Sequence, residues 1–414
     1  MRFGIDTSGL VQLVSFLLVC LSLAVPAKGQ EARSGPSQLD LIRKLWVVPV
    51  RQASDPSKQL SSCRLHTSGD LLIIEDSEGV RALNLHTGVA AWGRGGEEVD
   101  PGDLVRSEPS LARSEVSGTL MGSLWVGWID RGLLALDLNA EGQVLWFRRI
   151  EELADSELIR FRPHGSPVRT GDAILAPLIA ESFHSSAKLV CVSVQGEIVW
   201  RREVAISIPK RIRPPSSTVF YDEDKKAIYW IPGGARLLAL EEETGTIQWE
   251  TELVPDETES QFGRGIPSIS LSGDSLFVTT GTTLNRVRRS NGEIIWRHDF
   301  LIPSGKICGD IDGLVILAGG WLTGVSRDSG LIRWRAGNRH RKIEFPCATT
   351  WYQDILVSAI DGELWGIDPK SGGVTLRTPV PGLPKDTDSI LIPADDILII
   401  TSPRQIIAYQ IHFR

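Results

Sequence analysis

The sequence predicts an all-β fold, an eight-bladed β-propeller of four-stranded antiparallel blades, from three observations. A phrase made of an aliphatic strand, a glycine-containing turn and a tryptophan recurs along the 414 residues. Its strand is apolar on both faces, which is typical of a strand buried between two sheets. The tryptophan positions recur about every 40 to 50 residues, which is the length that one four-stranded blade needs.

The repeated phrase reads ALNLHTGVAAW from Ala82 to Trp92. Its tryptophan returns in five further copies, at Trp146, Trp200, Trp249, Trp296 and Trp334. A seventh copy ends on Leu376 in place of tryptophan. An eighth copy begins with QIIAYQI near the C-terminus and lacks its second strand, which the segment LIRKLWVVPV around Trp46 can supply. The two chain ends are therefore predicted to pair and close the ring. A seven-bladed ring with Trp46 in a decorative strand is the alternative.

One position of the repeated strand is small in almost every copy. With Ala82 as the reference, the column reads Ala82, Ala135, Cys191, Ala239, Arg286, Gly324, Gly366 and Ala408. The positions two residues before it and one residue after it are apolar in all eight copies. Because successive side chains of a strand point to opposite faces, this strand is predicted to be buried on both sides. The glycine before each tryptophan suits a hairpin turn with a positive φ.

The N-terminus has the pattern of a secretory signal peptide. Arg2 precedes an apolar stretch from Leu10 to Val25, and small residues follow at a spacing that suits cleavage. An uncleaved anchor is the alternative. The expected organisation is a signal peptide at 1–29, a flexible linker at 30–40 and one propeller domain at 41–414. The chain is therefore expected to be exported to the periplasm or cell envelope of a bacterium, with no membrane span after cleavage.

Composition and charge narrow the function classes. Apolar residues make up 42% of the chain and charged residues 23%, which is ordinary for a folded domain. The formal net charge is −7. A nucleic-acid-binding protein is usually basic, so the sequence predicts no nucleic-acid partner.

The phrase A-x-D-x-x-T-G-x-x-x-W resembles the tryptophan-docking motif of the pyrroloquinoline-quinone-like (PQQ-like) propeller repeat family. The resemblance covers about residues 41–414 and is closest in plan to the outer-membrane assembly propeller of the BAM complex. It implies that each motif tryptophan packs between neighbouring blades and stacks on the turn of the adjacent motif. That structural role falls on Trp46, Trp92, Trp146, Trp200, Trp249, Trp296 and Trp334. The chain departs from the motif at Arg286 and Leu376, so blades 5 and 7 are expected to be the irregular ones.

Catalysis is not predicted. The dehydrogenases of the family resemble one another in having a calcium site, a catalytic aspartate and commonly a ring of two adjacent cysteines, and this chain has no Cys-Cys pair. Its seven histidines show no paired spacing. The sequence Gly309–Gly313 (GDIDG) is interpreted as a turn and not as calcium ligands. We therefore predict no catalytic, cofactor-binding or metal-binding residues.

Three groups of residues leave alternatives open. Cys63, Cys308 and Cys347 fall in the first strands of their blades, where they are either small core residues or a disulfide or metal site in the channel; Cys191 is the fourth cysteine outside the signal. Basic clusters form either solvated turns or a partner surface, at Arg201–Arg202, Lys210–Arg213, Arg286–Arg289 and Arg335–Lys342. Tryptophans outside the repeat position belong either to blade cores or to a carbohydrate site, at Trp125, Trp128, Trp230, Trp321 and Trp351.

These observations predict an exported, non-catalytic, monomeric propeller that acts as a protein-interaction or scaffolding module. Its partner is a protein of the cell envelope whose identity the sequence does not give, and no cofactor is expected. A PQQ-dependent oxidoreductase and a carbohydrate-binding propeller are the two alternatives.

Overall fold

The repeat folds into eight antiparallel sheets in a computed structural model. The structure describes residues 39–49, 64–76, 79–94, 118–129, 132–156, 159–181, 186–206, 217–233, 236–253, 267–280, 283–299, 306–318, 322–336, 349–360, 362–383, 389–394, 396–402 and 404–413. The predicted signal peptide and all but the end of the predicted linker lie outside these residues. Gln38–Arg414 form one compact unit.

Each sheet is one blade, and in blades 1 to 7 the strands follow one another in chain order, with the first strand of blade 3 divided into two. Blades 1 to 4 consist of β2 (Arg64–Ser68), β3 (Leu71–Asp76), β4 (Gly79–Asn84) and β5 (Ala90–Arg94); β6 (Thr119–Met121), β7 (Leu124–Ile129), β8 (Gly132–Asp137) and β9 (Gln143–Arg149); β10 (Phe161–Pro163), β11 (Val168–Arg169), β12 (Ala173–Ala180), β13 (Ser186–Ser193) and β14 (Ile198–Ala205); and β15 (Thr218–Asp222), β16 (Ala227–Ile231), β17 (Arg236–Glu241) and β18 (Ile247–Glu252). A short helix, α1 (Ile150–Ala154), connects blades 2 and 3.

The second half of the ring has the same order up to blade 8, whose fourth strand is β1. Blades 5 to 8 consist of β19 (Ser268–Ser272), β20 (Ser275–Thr280), β21 (Thr283–Arg288) and β22 (Ile294–Asp299); β23 (Lys306–Ile311), β24 (Leu314–Ala318), β25 (Leu322–Ser326) and β26 (Ile332–Ala336); β27 (Thr349–Tyr352), β28 (Ile355–Ile360), β29 (Glu363–Ile367) and β30 (Val374–Pro379); and β31 (Ser389–Ala394), β32 (Ile397–Thr401), β33 (Gln405–Phe413) and β1 (Leu39–Pro49). First strands of neighbouring blades touch, as β15 touches β19 and β19 touches β23, so the first strands surround the axis.

The ring is closed by the two ends of the chain. β1 pairs antiparallel with β33, and Trp46 lies opposite Ala408 in this pair. The eight-bladed prediction is thereby confirmed, and the seven-bladed alternative is wrong because the strand of Trp46 completes a blade. β1 begins at Leu39, two residues before the predicted domain boundary.

The middle strands of the blades form the core. Every residue of β16 and of β25 is buried, whereas β14 alternates between half-buried and exposed residues. A middle strand is covered by a sheet on each face, but an outer strand turns one face to water. The prediction that the repeated strand is apolar on both sides because both sides are buried is confirmed.

A β-bulge adjoins the tryptophan of every repeat. In blade 1, Trp92 lies opposite Ala82 and Ala90 lies opposite Leu83, which leaves Ala91 as the extra residue. The reference residue of each copy, which is small except at Arg286, lies directly opposite the tryptophan position, in the pairs Ala82–Trp92, Ala135–Trp146, Cys191–Trp200, Ala239–Trp249, Arg286–Trp296, Gly324–Trp334, Gly366–Leu376 and Ala408–Trp46. A small side chain leaves room for the indole beside it.

Departures from the common strand register occur in blade 3, in blade 6 between Ile307 and Gly309, and in blade 8 between Leu391 and Ala394. The expectation that blades 5 and 7 pack less regularly concerns their packing and stays a prediction. Blades 5 and 7 keep the common bulge. In blade 3, the first strand is split into β10 and β11, which both pair with β12. Gly165 and Pro167 lie in the break, and a proline has no N–H for the ladder. The third-to-fourth-strand turn is also unusual, being one residue longer in blade 2 and one shorter in blade 3 than in blade 1.

The two faces of the disc differ. Turns between first and second strands and between third and fourth strands lie together on one face, which we call the tight-turn face. The remaining connections, including α1, lie on the opposite face, which we call the loop face. Among the described residues, no helix is long and apolar enough to cross a membrane.

Candidate functional site

The repeat tryptophans lie against glycines of the next blade. A Cβ placed on the turn glycine would fall 2.5 to 2.9 Å from an indole atom at all seven positions, so only glycine fits. The pairs are Trp46–Gly88, Trp92–Gly142, Trp146–Gly196, Trp200–Gly245, Trp249–Gly292, Trp296–Gly330 and Trp334–Gly372. These glycines also have positive φ, which side chains of L residues disfavour.

Most of these indoles donate a hydrogen bond to the same turn. Nε1 of Trp146 donates to the carbonyl of Val194 at 2.8 Å, and Nε1 of Trp46 donates to the carbonyl of Leu85 at 3.0 Å. Equivalent bonds run from Trp200 to Glu242, from Trp296 to Arg327 and from Trp334 to Pro369. Each bond joins the fourth strand of one blade to the turn of the next, so it stabilises the interface between two blades.

Trp92 is different, because its buried Nε1 has no acceptor among the described residues. In blade 2, the amide of Gly142 donates to Asp137, five residues back, whereas the amide of Gly88 in blade 1 donates to Asn84, four residues back. The extra residue changes where the turn carbonyls lie. The ring of Trp92 still packs on Gly142, but its N–H lacks the turn carbonyl that five of the other repeats provide.

A second inter-blade contact was missed by sequence reasoning. Two residues after the tryptophan, Arg148 donates from Nε to the carbonyl of Gly196 at 2.5 Å, and Arg202 donates to that of Gly245 at 2.7 Å. Thr251 does the same toward Gly292. The recurrence of W-x-R could have revealed this contact. Its acceptor is the same glycine that the tryptophan covers.

The basic clusters are mostly engaged within the fold. Arg201 donates to the carbonyls of Leu153 and Glu152 at 2.8 and 2.9 Å. Arg286, the bulky residue of the small column, extends past Trp296 and donates to the carbonyl of Arg327 at 3.1 Å. Arg289 forms a buried ion pair with Asp222 of the preceding blade. Lys210–Arg213 and residues 337–342 lie outside the described residues.

Asp312 and Gly313 of the GDIDG segment form the predicted turn, between β23 and β24, whereas Gly309–Ile311 are the end of β23. Asp312 and Gly313 both have positive φ, the conformation of a type I′ hairpin turn. Asp310 lies 3.3 Å from Arg327, and Asp312 lies 2.5 Å from Lys370. In the part of the chain that the structure describes, no group of three histidine, cysteine or acidic residues could hold a metal.

The structure describes two of the cysteines, Cys191 and Cys308, and Cys191 is a free thiol. Cys191 is buried opposite Trp200, and burial raises its pKa to about 12, with Glu242 adding to the effect. Such a thiol is not reactive at neutral pH. Cys308 lies in β23, a first strand, and is half-buried. Cys63 and Cys347 lie outside the described residues.

The tryptophans outside the repeat position serve the core and the interfaces. Trp125 and Trp230 are fully buried. Trp128 is half-buried and donates to the carbonyl of Gly165, and Trp351 donates to that of Cys308. Trp321 lies outside the described residues. A sugar-stacking platform needs an open indole face, which neither Trp125 nor Trp230 offers.

Blade 3 carries an elaboration that the ring does not need, and we call α1 together with β12, β13 and β14 the blade 3 crest. Its three strands have eight residues each, against five or six in most other blades. Lys188 is buried beneath α1, contacts the carbonyl of Ala154, and lies 3.2 Å from Glu203 and 4.7 Å from the centre of the Phe161 ring. Arg201 binds the same helix from the outer strand. The crest is therefore a fixed projection on the loop face.

The eight blades and their tryptophan-to-turn contacts define a β-propeller with PQQ-like repeats. A family model described as outer membrane protein assembly factor BamB matches residues 43–251 and 233–397. The chain belongs to this family.

Solved structures share the fold at low identity. BamB from Moraxella catarrhalis matches with a TM-score of 0.61 and 15% identity, over 89% of this chain and 100% of that one. A quinohemoprotein alcohol dehydrogenase, ADHIIG from Pseudomonas putida HK5, matches with a TM-score of 0.61 and 10% identity, over 89% and 76%. The computationally designed protein Ika8 gives 0.59 and 12%, over 89% and 99%. No curated protein matches the sequence.

Proposed function

We propose that the chain is an exported, non-catalytic propeller that binds a protein partner in the bacterial cell envelope through the blade 3 crest. The observation that carries this proposal is the crest itself. Ring closure requires four short strands per blade, and the crest adds a helix and longer strands on one face. Membership of a family described as an outer membrane assembly factor supports a role in interaction.

The crest is suited to binding because it is rigid and accessible. Its helix is held by Lys188 and Arg201, while Glu151, Glu152 and Asp155 point to solvent. Functional contacts are commonly made by connections held on a rigid scaffold. Binding to such a preordered surface costs less conformational entropy than binding that must first order a loop.

Site-specific photo-crosslinking in the native host tests this proposal. A photoreactive residue at Glu151 should give one adduct of discrete mass, and the same residue at Glu223, an exposed position on the tight-turn face, should give none. Reversing charge at Glu152 and Asp155 should weaken the adduct from position 151. An adduct only from position 223, or no adduct from either position, would contradict the proposal.

Export is tested separately. The mature protein purified from the cell envelope should begin at residue 28 or 30, which intact mass and N-terminal sequencing can decide. A full-length chain recovered from the cytoplasm would contradict export without bearing on the interaction surface.

A quinone-dependent oxidoreductase is the second candidate, favoured by the structural likeness to a quinohemoprotein alcohol dehydrogenase. Incubating the protein with pyrroloquinoline quinone and calcium, and then with alcohols or sugars and a redox dye, tests it. Dye reduction that depends on both the quinone and the substrate would establish this activity in place of a purely interacting role.

A further inference from the structure

A carboxylate is enclosed where blade 1 meets blade 2. Glu75, in the second strand of blade 1, accepts a hydrogen bond from Nε1 of Trp125 at 2.8 Å and from the amide of Gly118 at 3.1 Å. Nε2 of His66 lies 2.7 Å from the same carboxylate oxygen that Trp125 contacts. Trp125 and Gly118 belong to blade 2, whereas His66 belongs to the first strand of blade 1. The carboxylate therefore joins two blades beside the axis.

The contact matters most for the first strand of blade 2. That strand, β6, has only three residues and therefore few ladder hydrogen bonds. Gly118 immediately precedes β6, and both oxygens of Glu75 lie 3.1 Å from its amide. Because β6 is short and the Glu75 carboxylate binds its start, the stability of its position depends on how strongly that carboxylate accepts hydrogen bonds.

Among the described residues, few charged groups lie around Glu75. Arg64 lies opposite Glu75 in the strand register and so shares its face, but its guanidinium extends to Oγ of Ser166 in blade 3 at 3.5 Å. Arg81 lies on the other face of the sheet and donates to the carbonyl of Pro49. Arg94 occupies the same register row two strands further out. β6 and β7 contain no titratable side chain.

We propose that Glu75 is an acid-released latch that holds the first strand of blade 2 against blade 1. The ionised carboxylate accepts from Trp125 and Gly118 and lies at ion-pair distance from Nε2 of His66. A protonated carboxyl becomes a donor at one oxygen, so the N–H groups of Trp125 and Gly118 face one acceptor fewer and the ion pair with His66 is lost. The interface then loosens at this point while the tryptophan contacts elsewhere in the ring remain.

The direction of the pH effect follows from the surroundings. Burial raises the pKa of Glu75, but the hydrogen bond and charge of His66 and the N–H groups of Trp125 and Gly118 lower it by more, so the pKa lies below the ordinary value of 4.5. A lowered folded-state pKa contributes stability above the unfolded pKa, and this stability disappears as the pH falls through the folded pKa. The latch is therefore closed at neutral pH and opens below 4.5.

Hydrogen exchange of the full-length protein, corrected for the intrinsic exchange rate at each pH, tests the latch. Amides of 118–121 should lose at least tenfold protection between pH 6 and the lowest pH at which the ring stays folded, while those of β15, the equivalent strand of blade 4, should change little. In Glu75→Gln, protection at 118–121 should be low at both pH values. Glu223→Gln, at an exposed turn position, is the matched control and should behave as the wild type.

A rescue experiment separates an anion pocket from a merely structural side chain. Glu75→Ala removes the carboxylate to which Trp125 and Gly118 donate and which faces His66, so formate at neutral pH should raise its thermal midpoint above that in equal chloride, with no such difference for the wild type. If Glu75→Ala does not fold, the hydrogen exchange of residues 118–121 in Glu75→Gln is the measurement that tests the latch. Unchanged pH dependence in Glu75→Gln, or no formate effect in a folded Glu75→Ala, would overturn the latch.

Discussion

At the scale of single residues, the tryptophans of the repeat differ in whether the indole N–H has a hydrogen-bond acceptor. Trp146 donates to the turn of the next blade, whereas Trp92 packs against an equivalent glycine without an acceptor. The two residues thus separate ring packing from hydrogen bonding within one molecule. A buried hydrogen-bond donor without an acceptor lowers the free energy of unfolding, so removing such a donor destabilises the fold little.

Replacing each of these tryptophans by phenylalanine should therefore have unequal effects. Trp146→Phe loses both ring area and a hydrogen bond, and Trp92→Phe loses ring area alone. We expect Trp146→Phe to lower the free energy of unfolding by about 1 kcal/mol more than Trp92→Phe does. Denaturant titration measures both values. Equal losses would mean that the hydrogen bond contributes nothing.

The turn glycines allow a similar separation of backbone strain from steric conflict. Gly196 and Gly122 have φ of +84° and +60°, and a Cβ would lie 2.8 Å from Trp146 at Gly196 but near nothing at Gly122. Alanine at either position should cost about 1 to 2 kcal/mol for its left-handed conformation. Gly196→Ala should cost about 1 to 3 kcal/mol more, because the indole must move. Comparable midpoints for the two variants in thermal denaturation would contradict this.

Residue patterns predicted more of the core than of the surface. The small column and its apolar neighbours were readable from the sequence because burial on both faces permits few residue types. The partners of Arg201 and Arg286 were not readable, since a long side chain can reach a backbone carbonyl in another blade without leaving a local pattern. Arg286 fits the small column for the same reason.

At the scale of elements, α1 shows why some structure escapes sequence analysis. Five residues make little more than one turn and cannot be stable alone. The helix exists because Lys188, Arg201 and the apolar cluster of blades 2 and 3 hold it. None of these contacts is local in sequence, so no hydrophobic periodicity of the segment predicts the helix. The split of β10 from β11 is equally non-local, apart from Pro167.

Lys188→Met should therefore release α1 and leave the ring intact. The methionine keeps an apolar stem but loses the contacts with Ala154 and Glu203. We expect a loss of about 1.5 to 3 kcal/mol in local stability, seen as faster proteolysis at residues 150–160, with far-ultraviolet circular dichroism of the sheets unchanged. Lys226→Met, at an exposed position, is the control. Uniform loss of protection over all blades would show that Lys188 supports the whole fold.

At the scale of the whole molecule, the closed ring explains the one repeat that lacks its tryptophan. Each repeat tryptophan packs on the third-to-fourth-strand turn of the next blade. In blade 8, the third and fourth strands are β33 and β1, which come from opposite ends of the chain, so no such turn connects them. Blade 7 has no glycine to pack against, and Leu376 is buried there instead.

Leu39 pairs with Phe413, so β33 and β1 are antiparallel neighbours. A hairpin turn can therefore join these two strands, and the chain can be opened at another position of the ring. A four-residue turn ending in Thr-Gly that joins Gln410 to Arg43, as residues 85–88 join Asn84 to Val89 in blade 1, with new ends opened at 223–226, should give a permuted protein with the same ring. In that permutant, Leu376→Trp should stabilise the fold, because the indole can pack on the glycine of the new turn. In the natural chain, the same substitution should not stabilise the fold, because that turn does not exist. Thermal midpoints of the four proteins would show whether the substitution and the new turn are coupled.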